Sequence, residues 1–389
     1  MHKFSNKIKV ANIIEDGRLA GPQNRMMKVA SASNNIVHTK IILPKRNSED
    51  FQNQCNKLRI NYIPLSLSTM SSNWISIIRY LVLFPYEILL LFNVLKKNKF
   101  DIVHLSGGCW QFKGLIAAKL AKIKVIWHLN DTNAPLLIRK IFSLLSPLAN
   151  SIIFASERTR DYYKNYLPVK IRSFLIQSPV DVNFFDPSLK YNTEEFEKNF
   201  WEDKIKIGTI GNINPNKGHI TLLKTAKLLS NYSGQIIFFI IGPVYKSQRK
   251  YFESLKKIKK KEKIDNVIFL DGKKDVRPIL KFLDIYICSS DFEASPLSVW
   301  EAMAMEKAIV SSDVGDVRKF IENGVNGFLV EKGDAVGFAD NIKKLIEKPN
   351  TRINFGKIAR EVAKNKLDLN LCVKLHNLAY QKTISENCD

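Results

Sequence analysis

The sequence predicts an α/β protein of two doubly wound parallel sheets, and three observations predict it. At 389 residues the chain exceeds one typical core. With 45% hydrophobic and 25% charged residues, its composition is globular rather than disordered. Apolar runs of strand length alternate with helical stretches, twice over, which is how parallel sheets covered by crossover helices are written in sequence.

In the first half the strand-like runs are Ile8 to Ile14, Ile36 to Leu43, Leu58 to Leu65, Asp101 to Leu105, Val125 to Leu129, Ser151 to Ala155 and Phe174 to Val180. In the second half strands begin at Ile205, Gln235, Asn266, Asp284, Ala308 and Gly327. The stretch from Val182 to Asp203 is polar and acidic and contains Pro187, so it reads as a linker. These boundaries give a first domain over 1–182, a linker over 183–203 and a second domain over 204–365. Ligands of such sheets bind beyond the carboxyl ends of the strands. The stretch Trp74 to Leu95 is rich in Ile, Leu, Phe and Tyr and runs into Lys96-Lys97-Asn98-Lys99. Arg79, Pro85 and Glu87 interrupt it, which makes it a poor transmembrane span. It is either a helix lying in a membrane interface or a mostly buried domain helix.

Charge narrows the partners. The net charge is +23, and residues 1–182 carry 26 Lys+Arg against 10 Asp+Glu. That excess implies an anionic partner for the first domain. Nucleic acid is excluded, since there is no helix-turn-helix, zinc-finger or RNP-like signature and the basic residues are not interleaved with aromatics. The run Lys256-Lys257-Ile258-Lys259-Lys260-Lys261 reads as a solvated helix face. Cys55, Cys109, Cys288, Cys372 and Cys388 are scattered and odd in number, so neither a disulfide framework nor a zinc site is expected. Met1 to Lys9 leads straight into a strand without a secretory apolar region, which predicts a cytoplasmic protein, peripheral at most on the inner face of a membrane.

The most informative segment is Phe292-Glu293-Ala294-Ser295-Pro296-Leu297-Ser298-Val299-Trp300-Glu301-Ala302-Met303-Ala304. The strand Asp284 to Cys288 ends at Ser289-Ser290-Asp291, leaving Glu293 in a loop at a strand's carboxyl end. Ser295 is expected to cap the next helix and Pro296 to occupy its first position. Leu297, Trp300, Met303 and Ala304 recur at helical spacing and form its buried face. Glu301, in the second turn, leans back toward the same region as Glu293. The helix start favours a phosphate. Ahead of this segment, the glycine turn after Ile207-Gly208-Thr209-Ile210-Gly211-Asn212 leads to Asn216-Lys217-Gly218-His219, where a lysine offers phosphate a compact charge. The turn lacks the third glycine and the ribose-binding acid of a nicotinamide site.

These residues resemble family 4 retaining glycosyltransferases, the glycosyl transferases group 1 of GT-B fold. Glu293 to Glu301 resembles their E-x7-E motif and Asn216-Lys217-Gly218 their phosphate-binding segment. Asn266-Val267-Ile268-Phe269-Leu270-Asp271-Gly272 resembles their V-x-F-x-G strand, and Asn323-Gly324-Val325-Asn326-Gly327-Phe328-Leu329-Val330 their NG-x-NG turn. The likeness is dense from 205 to 345 and thinner earlier, where Gly21-Pro22, Asp101-Ile102-Val103-His104 and Trp127-His128-Leu129-Asn130-Asp131 fall at family positions.

The resemblance implies a nucleotide-sugar donor and a saccharide or lipid-linked acceptor, in the synthesis of cell-surface polysaccharide such as capsule or O-antigen. It implies two Rossmann-like domains facing across a cleft, with the last helix, about 366–389, packing back on the first. The donor would meet Gly211, Asn212, Lys217, Gly272, Arg277, Glu293, Ser295, Pro296, Leu297 and Glu301. Glu301 would hold ribose and Glu293 the sugar, with Lys217 on the diphosphate. The acceptor side would hold Gly21, His128, Asn130 and Asp131, with Glu293, Lys217 and His128 as catalytic candidates and Asp131 as an alternative to the histidine. No cofactor or metal is expected, since no Asp-x-Asp motif sits at a strand end. Asn212 stands where the family carries an arginine. Lys273, Lys274 and Arg277 are candidate replacements or simply a solvated helix start. A nucleotide-sugar epimerase of the same fold and a catalytically silent GT-B subunit remain as alternatives.

Overall fold

The computed structural model of the chain describes residues 7–33, 35–69, 74–197, 201 and 203–385. Cys388, most of Met1 to Lys9, part of 183–203 and the end of 366–389 lie outside the described residues. The chain divides into two compact units. Unit 1 holds the chain up to Ser178 together with the stretch from Leu369 onward, and unit 2 runs from Pro179 to Asp368.

Unit 1 begins β1 (Ile8–Ile13), α1 (Gly21–Ala32), β2 (Val37–Pro44), α2 (Glu49–Lys57), β3 (Tyr62–Leu65) and α3 (Trp74–Asn98). It continues β4 (Ile102–Leu105), α4 (Phe112–Leu120), β5 (Lys124–Leu129), α5 (Leu136–Leu145), β6 (Ser151–Phe154), α6 (Glu157–Tyr163) and β7 (Arg172–Leu175). Its sheet has the order β3-β2-β1-β4-β5-β6-β7, with every pairing parallel. The direction of winding reverses between β1 and β4, where Ile13 pairs with Leu105.

Unit 2 comprises α7 (Glu194–Glu197), β8 (Ile205–Ile210), α8 (His219–Leu228), β9 (Ile236–Ile241), α9 (Arg249–Lys261), β10 (Val267–Leu270) and α10 (Arg277–Phe282). Then come β11 (Ile285–Cys288), α11 (Leu297–Ala304), β12 (Ala308–Ser312), α12 (Val317–Phe320), β13 (Phe328–Val330), α13 (Ala335–Glu347) and α14 (Pro349–Lys366). Its parallel sheet has the order β10-β9-β8-β11-β12-β13 and reverses between β8 and β11. The chain then returns to unit 1 as α15 (Leu369–Ser385).

The departures from the sequence reading have local causes. The strand expected from Leu58 starts at Tyr62, because α2 persists to Lys57 and Arg59 turns the chain with φ 53°. The strand expected to reach Val180 stops at Leu175, and Val180 bridges Asp368 in unit 2 instead. The segment expected as a linker joins the body of unit 2: Phe185 and Phe196 are buried in its core, and Arg360 donates to the Phe185 carbonyl at 2.9 Å.

Parallel sheets are buried on both faces, and unit 1 shows how. On one face α3, α4 and α5 place Leu91, Leu115 and Phe142 against Val103 and Trp127. On the other, Cys372, Ala379 and Tyr380 of α15 cover Ile102, Ile126 and Ile153. Helix α3 is 25 residues long with a mean hydropathy of 1.9 over its apolar window. Its second half is held by the core through Ile88, Leu91 and Leu95. Its first half exposes Trp74, Ile75, Ile78, Leu81, Val82 and Tyr86.

A buried ionic group fixes α3 in place. Lys113 of α4 is fully buried and donates to Glu87 of α3 at 2.7 Å and to the Ser68 carbonyl at 2.7 Å, with Glu15 at 3.2 Å. Tyr80 of α3 donates to Glu15 at 3.0 Å and turns its ring face to the Lys113 ammonium. Burial pushes the Glu15 carboxyl up, against the pull of Lys113. Removing one partner of a buried ion pair strands the others in low dielectric, at a cost of about 3–5 kcal/mol. Lys113→Met is therefore expected to lower the unfolding free energy of unit 1 by that amount in urea titration. A loss below about 1 kcal/mol would mean that water reaches these charges in the native protein.

Candidate active site

The densest polar constellation in unit 2 lies at its switch point. β8 and β11 are neighbours, with Ile207 opposite Ile285, so their following loops leave adjacent strand ends. After β8 the chain makes the turn Gly211 to Gly218. Gly218 has φ 61°, and a Cβ there would run into the Ser289 carbonyl oxygen. The side chain of Lys217 folds over Gly211, whose absent Cβ would lie 3.1 Å from Lys217 Cε. Glycine at both positions is thus a condition for this lysine's placement.

Three links fasten this turn to the loop after β11. The Asp291 N–H donates to the Asn216 carbonyl at 2.8 Å, and Ser289 Oγ donates to the Lys217 carbonyl at 3.1 Å. Lys217 Nζ donates to Glu293 Oε1 at 2.6 Å. Ser290 Oγ donates to the same oxygen at 3.0 Å. Burial alone would lower the Lys217 pKa, but the Glu293 carboxylate reverses that and holds it above the ordinary lysine range. The ammonium is therefore a permanent charge at neutral pH. Beside it, burial and then Lys217 pull His219 down to about 4, so that ring stays neutral.

Helix α11 begins one residue later than expected. Pro296 is its N-cap and Leu297 its first residue, while Ser295 Oγ accepts from the Trp300 indole at 3.1 Å. The hydroxyl serves the buried tryptophan and makes no backbone cap. The first intrahelical bonds are those of the Val299 and Trp300 N–H groups to the Pro296 carbonyl, at 3.0 and 3.3 Å, so the Leu297 and Ser298 N–H groups precede the ladder. Glu301 lies half-buried in the second turn. Gly272 follows β10, and a Cβ there would crowd Pro243 at 2.5 Å. Asn212 is half-buried. Arg277, a candidate replacement for the arginine that Asn212 replaces, binds both oxygens of Asp275 through its guanidinium, at 2.8 and 2.6 Å, and stacks 3.7 Å from the Phe184 ring centre. That carboxylate already neutralises it.

Unit 1 brings together fewer of the expected groups. Gly21 is exposed at the start of α1. Asn130 and Asp131 follow β5. Asp131 accepts from Tyr163 Oη at 3.0 Å, burial pushes its carboxyl up, and it crowds Gly108, which has φ 90°. Asn130 Nδ2 is buried with no hydrogen-bond partner among the described residues.

His128, expected on the acceptor side, lies deep in unit 1. It is completely buried and faces no open surface. Arg25 of α1 contacts its Nε2, and its Nδ1 lies 3.2 Å from His104 Nε2; His104 Nδ1 is 2.8 Å from Tyr380 Oη. A guanidinium only donates, so the chain runs one way: Arg25 to His128, His128 Nδ1–H to His104, His104 Nδ1–H to Tyr380. His376 Nδ1 donates to the Cys372 carbonyl at 2.9 Å. Ring nitrogens of His104, His128 and His376 lie within 4.8 Å of one another, close enough to share a metal. The charge of Arg25 against His128 and the occupied nitrogens fit a neutral hydrogen-bonded cluster instead. Sequence reading missed Arg25, His104, His376 and Tyr380 as partners, because they come from three distant segments. It missed Ser290 as well, although its place three residues before Glu293 was a readable signal.

Known proteins agree with this geometry. Residues 191–362 match the glycosyl transferases group 1 family, and residues 42–184 match Glycosyltransferase Family 4. A galactosyltransferase of Escherichia coli, UDP-Gal:alpha-D-GlcNAc-diphosphoundecaprenol alpha-1,3-galactosyltransferase, is 22% identical over 66% of this chain and 69% of its own. The N,N'-diacetylbacillosaminyl-diphospho-undecaprenol alpha-1,3-N-acetylgalactosaminyltransferase of Campylobacter jejuni is 24% identical over 75% of this chain and 80% of its own. The structure of Anabaena HepE in complex with UDP superposes with a TM-score of 0.82 at 16% identity, covering 96% of this chain and all of that one. Two parallel sheets of this winding, together with the two family matches, define a GT-B glycosyltransferase. The chain belongs to the family 4 glycosyltransferases.

The histidine cluster has a pH signature. Burial, with Arg25 beside it, takes His376 down to about 3, whereas an unfolded histidine titrates near 6.5. Its contribution is complete above about pH 6.5 and is lost as pH falls toward 3, because only the unfolded chain binds the proton. Glu15 and Asp131, both pushed up, act in the opposite sense, so a variant isolates the effect. Relative to His376→Gln, the wild type is expected to lose about 1.4 kcal/mol of stability between pH 7.5 and 5.5, measured by chemical denaturation. A difference independent of pH would show that this ring titrates normally in the fold.

Proposed function

We propose that this glycosyltransferase transfers a sugar from a nucleotide-sugar donor, bound by unit 2, to a lipid-linked saccharide met by unit 1. The product would enter cell-surface polysaccharide synthesis. The observation that carries this reading is the Lys217–Glu293 pair at the unit 2 switch point. A sugar nucleotide leaves as a nucleoside diphosphate, and stabilising that developing charge should contribute most to the rate. A permanently charged Lys217 and the start of α11 supply it without a metal. Glu293 takes hydroxyls of the transferred sugar and Glu301 those of the ribose. Configuration is retained by front-face attack, with the departing phosphate accepting the proton of the acceptor hydroxyl. The glutamates are then binding groups rather than the paired acid and nucleophile of a hydrolase.

The acceptor class rests on the names of relatives and on surface chemistry. The Escherichia coli and Campylobacter jejuni enzymes are named for diphosphoundecaprenol-linked acceptors. Here the first half of α3 leaves Trp74, Leu81 and Val82 more than 60% exposed, and α5 exposes Leu137 and Leu144. Exposed apolar patches of this kind mark sites of protein or membrane association. Together with the basic excess of residues 1–182, they suit an anionic bilayer, on whose inner face a lipid-linked acceptor would be presented.

Two measurements test the reading. Lys217→Ala is expected to weaken UDP or GDP binding about tenfold or more in calorimetry, the loss of a charged hydrogen bond, with the unfolding midpoint little changed. Unchanged affinity would remove Lys217 from the donor site. Cosedimentation with vesicles should depend on acidic lipid and fall as salt shortens the screening length toward about 8 Å at physiological ionic strength. Leu81→Asp with Val82→Asp should abolish it. Equal binding to neutral and acidic vesicles, or none to either, would mean that this face meets something else.

A further inference from the structure

The two oxygens of Glu293 are not equivalent. Oε1 accepts from Lys217 Nζ at 2.6 Å and from Ser290 Oγ at 3.0 Å. Among the described residues, Oε2 makes no hydrogen bond or ion pair. Ser290 is almost fully buried at 2% exposure, whereas the Glu293 side chain keeps 16% of its surface open. Behind Ser290, Cys288 Sγ lies 3.6 Å from Ser290 Oγ, and burial, reinforced by Glu293, pushes its thiol up. The thiol thus stays protonated and donates to the serine, whose own hydrogen is directed at the carboxylate. The chain Cys288 to Ser290 to Glu293, met from the other side by Lys217, fixes the rotation of the carboxyl group.

We infer that Ser290 is a positioning residue of the donor site, which with Lys217 commits Glu293 Oε1 and leaves Oε2 as the acceptor offered to the ligand. The group that Oε2 meets is a hydrogen-bond donor, a hydroxyl or amide N–H of the transferred sugar. The inference rests on the donor-site reading of unit 2 given above. It adds a residue and a requirement. Fluorine in place of the recognised hydroxyl keeps size and electronegativity but has no proton to give, so the site rejects it. Without Ser290 the carboxyl is free to rotate, and discrimination at that ring position weakens, while the nucleotide, held elsewhere, is unaffected.

The test uses calorimetry on the full-length protein with UDP, GDP and a panel of UDP-glucose, UDP-galactose, UDP-N-acetylglucosamine and GDP-mannose, followed by the monodeoxyfluoro analogues of whichever sugar nucleotide binds. Ser290→Ala should bind the nucleoside diphosphate within about twofold of wild type and the sugar nucleotide about tenfold more weakly. Ser290→Thr, which retains the hydroxyl, should recover most of that loss. In the wild type one fluorinated position should cost about tenfold, and in Ser290→Ala the same position should cost markedly less. Equal losses for diphosphate and sugar nucleotide in Ser290→Ala would show that the serine merely supports the loop, and would overturn the inference. So would a wild type indifferent to fluorine at every position, a result that needs only the native protein. A wild type that binds no member of the panel would instead overturn the donor-site reading beneath it.

Discussion

The parallel pairing of β8 with β11 is the constraint on which the candidate site of unit 2 depends. Successive strands β8, β9 and β10 wind one way and β11, β12 and β13 the other, so the loops after β8 and β11 leave adjacent strand ends. In doubly wound sheets such a reversal is where a crevice forms between the two loops. Lys217 comes from one side of it and Glu293 from the other. They are 76 residues apart in the chain, yet the pair closes at 2.6 Å, because the Asn216 carbonyl and the Asp291 N–H have already fastened the two loops together. Backbone geometry, rather than the attraction of the two charges, brings them within reach.

Unit 1 illustrates two ways of keeping a cation out of water. Lys113 is surrounded by Glu87, Glu15, the Ser68 carbonyl and the face of Tyr80, so its charge is compensated directly. Arg25 has no such counter-charge, and burial lowers its pKa to about 10. It is tolerated because a neutral imidazole accepts its proton-bearing nitrogen and passes the polarisation along to His104 and Tyr380. The first arrangement resists loss of any member. The second resists protonation of its histidines. Both tie helices of unit 1 to the carboxyl-end half of its sheet.

Much of this architecture is legible in the sequence, since a parallel strand covered on both faces must be apolar at nearly every position. The runs around Val103, Ile126, Ile153, Phe238 and Ile287 were recognisable for that reason. Errors fell where local chemistry competes with tertiary contacts. Ser295 looks like a cap, but the Trp300 indole claims its oxygen. The segment around Phe185 looks like a linker because its polar residues outnumber its aromatics, although two buried aromatics, Phe185 and Phe196, anchor it to the unit 2 core. In the candidate site, the glycine turn before Lys217 and the loop position of Glu293 were readable because both are set within a few residues of chain, whereas their pairing across 76 residues was not. The surroundings of His128 were not readable, because a histidine at a strand end carries no mark of what lies beneath it. Here what lies beneath is contributed by α1 and by α15, 103 residues before it in the case of Arg25, and by Tyr380, 276 residues beyond its neighbour His104.

The return of α15 also bears on how the protein is made. Cys372, His376, Ala379 and Tyr380 close a face of the unit 1 sheet, yet they are translated after all of unit 2. Domains ordinarily fold as they emerge, the first before the second. In this chain the order is reversed: unit 2 is complete when its last helix, α14, clears the ribosome, while unit 1 waits with one face of its sheet, and the hydrogen-bond chain from Arg25, still open. The nascent first domain is consequently the part most exposed to chaperones and proteases. A ribosome that stops just before Leu369 releases a chain whose second half is finished and whose first half lacks its cover.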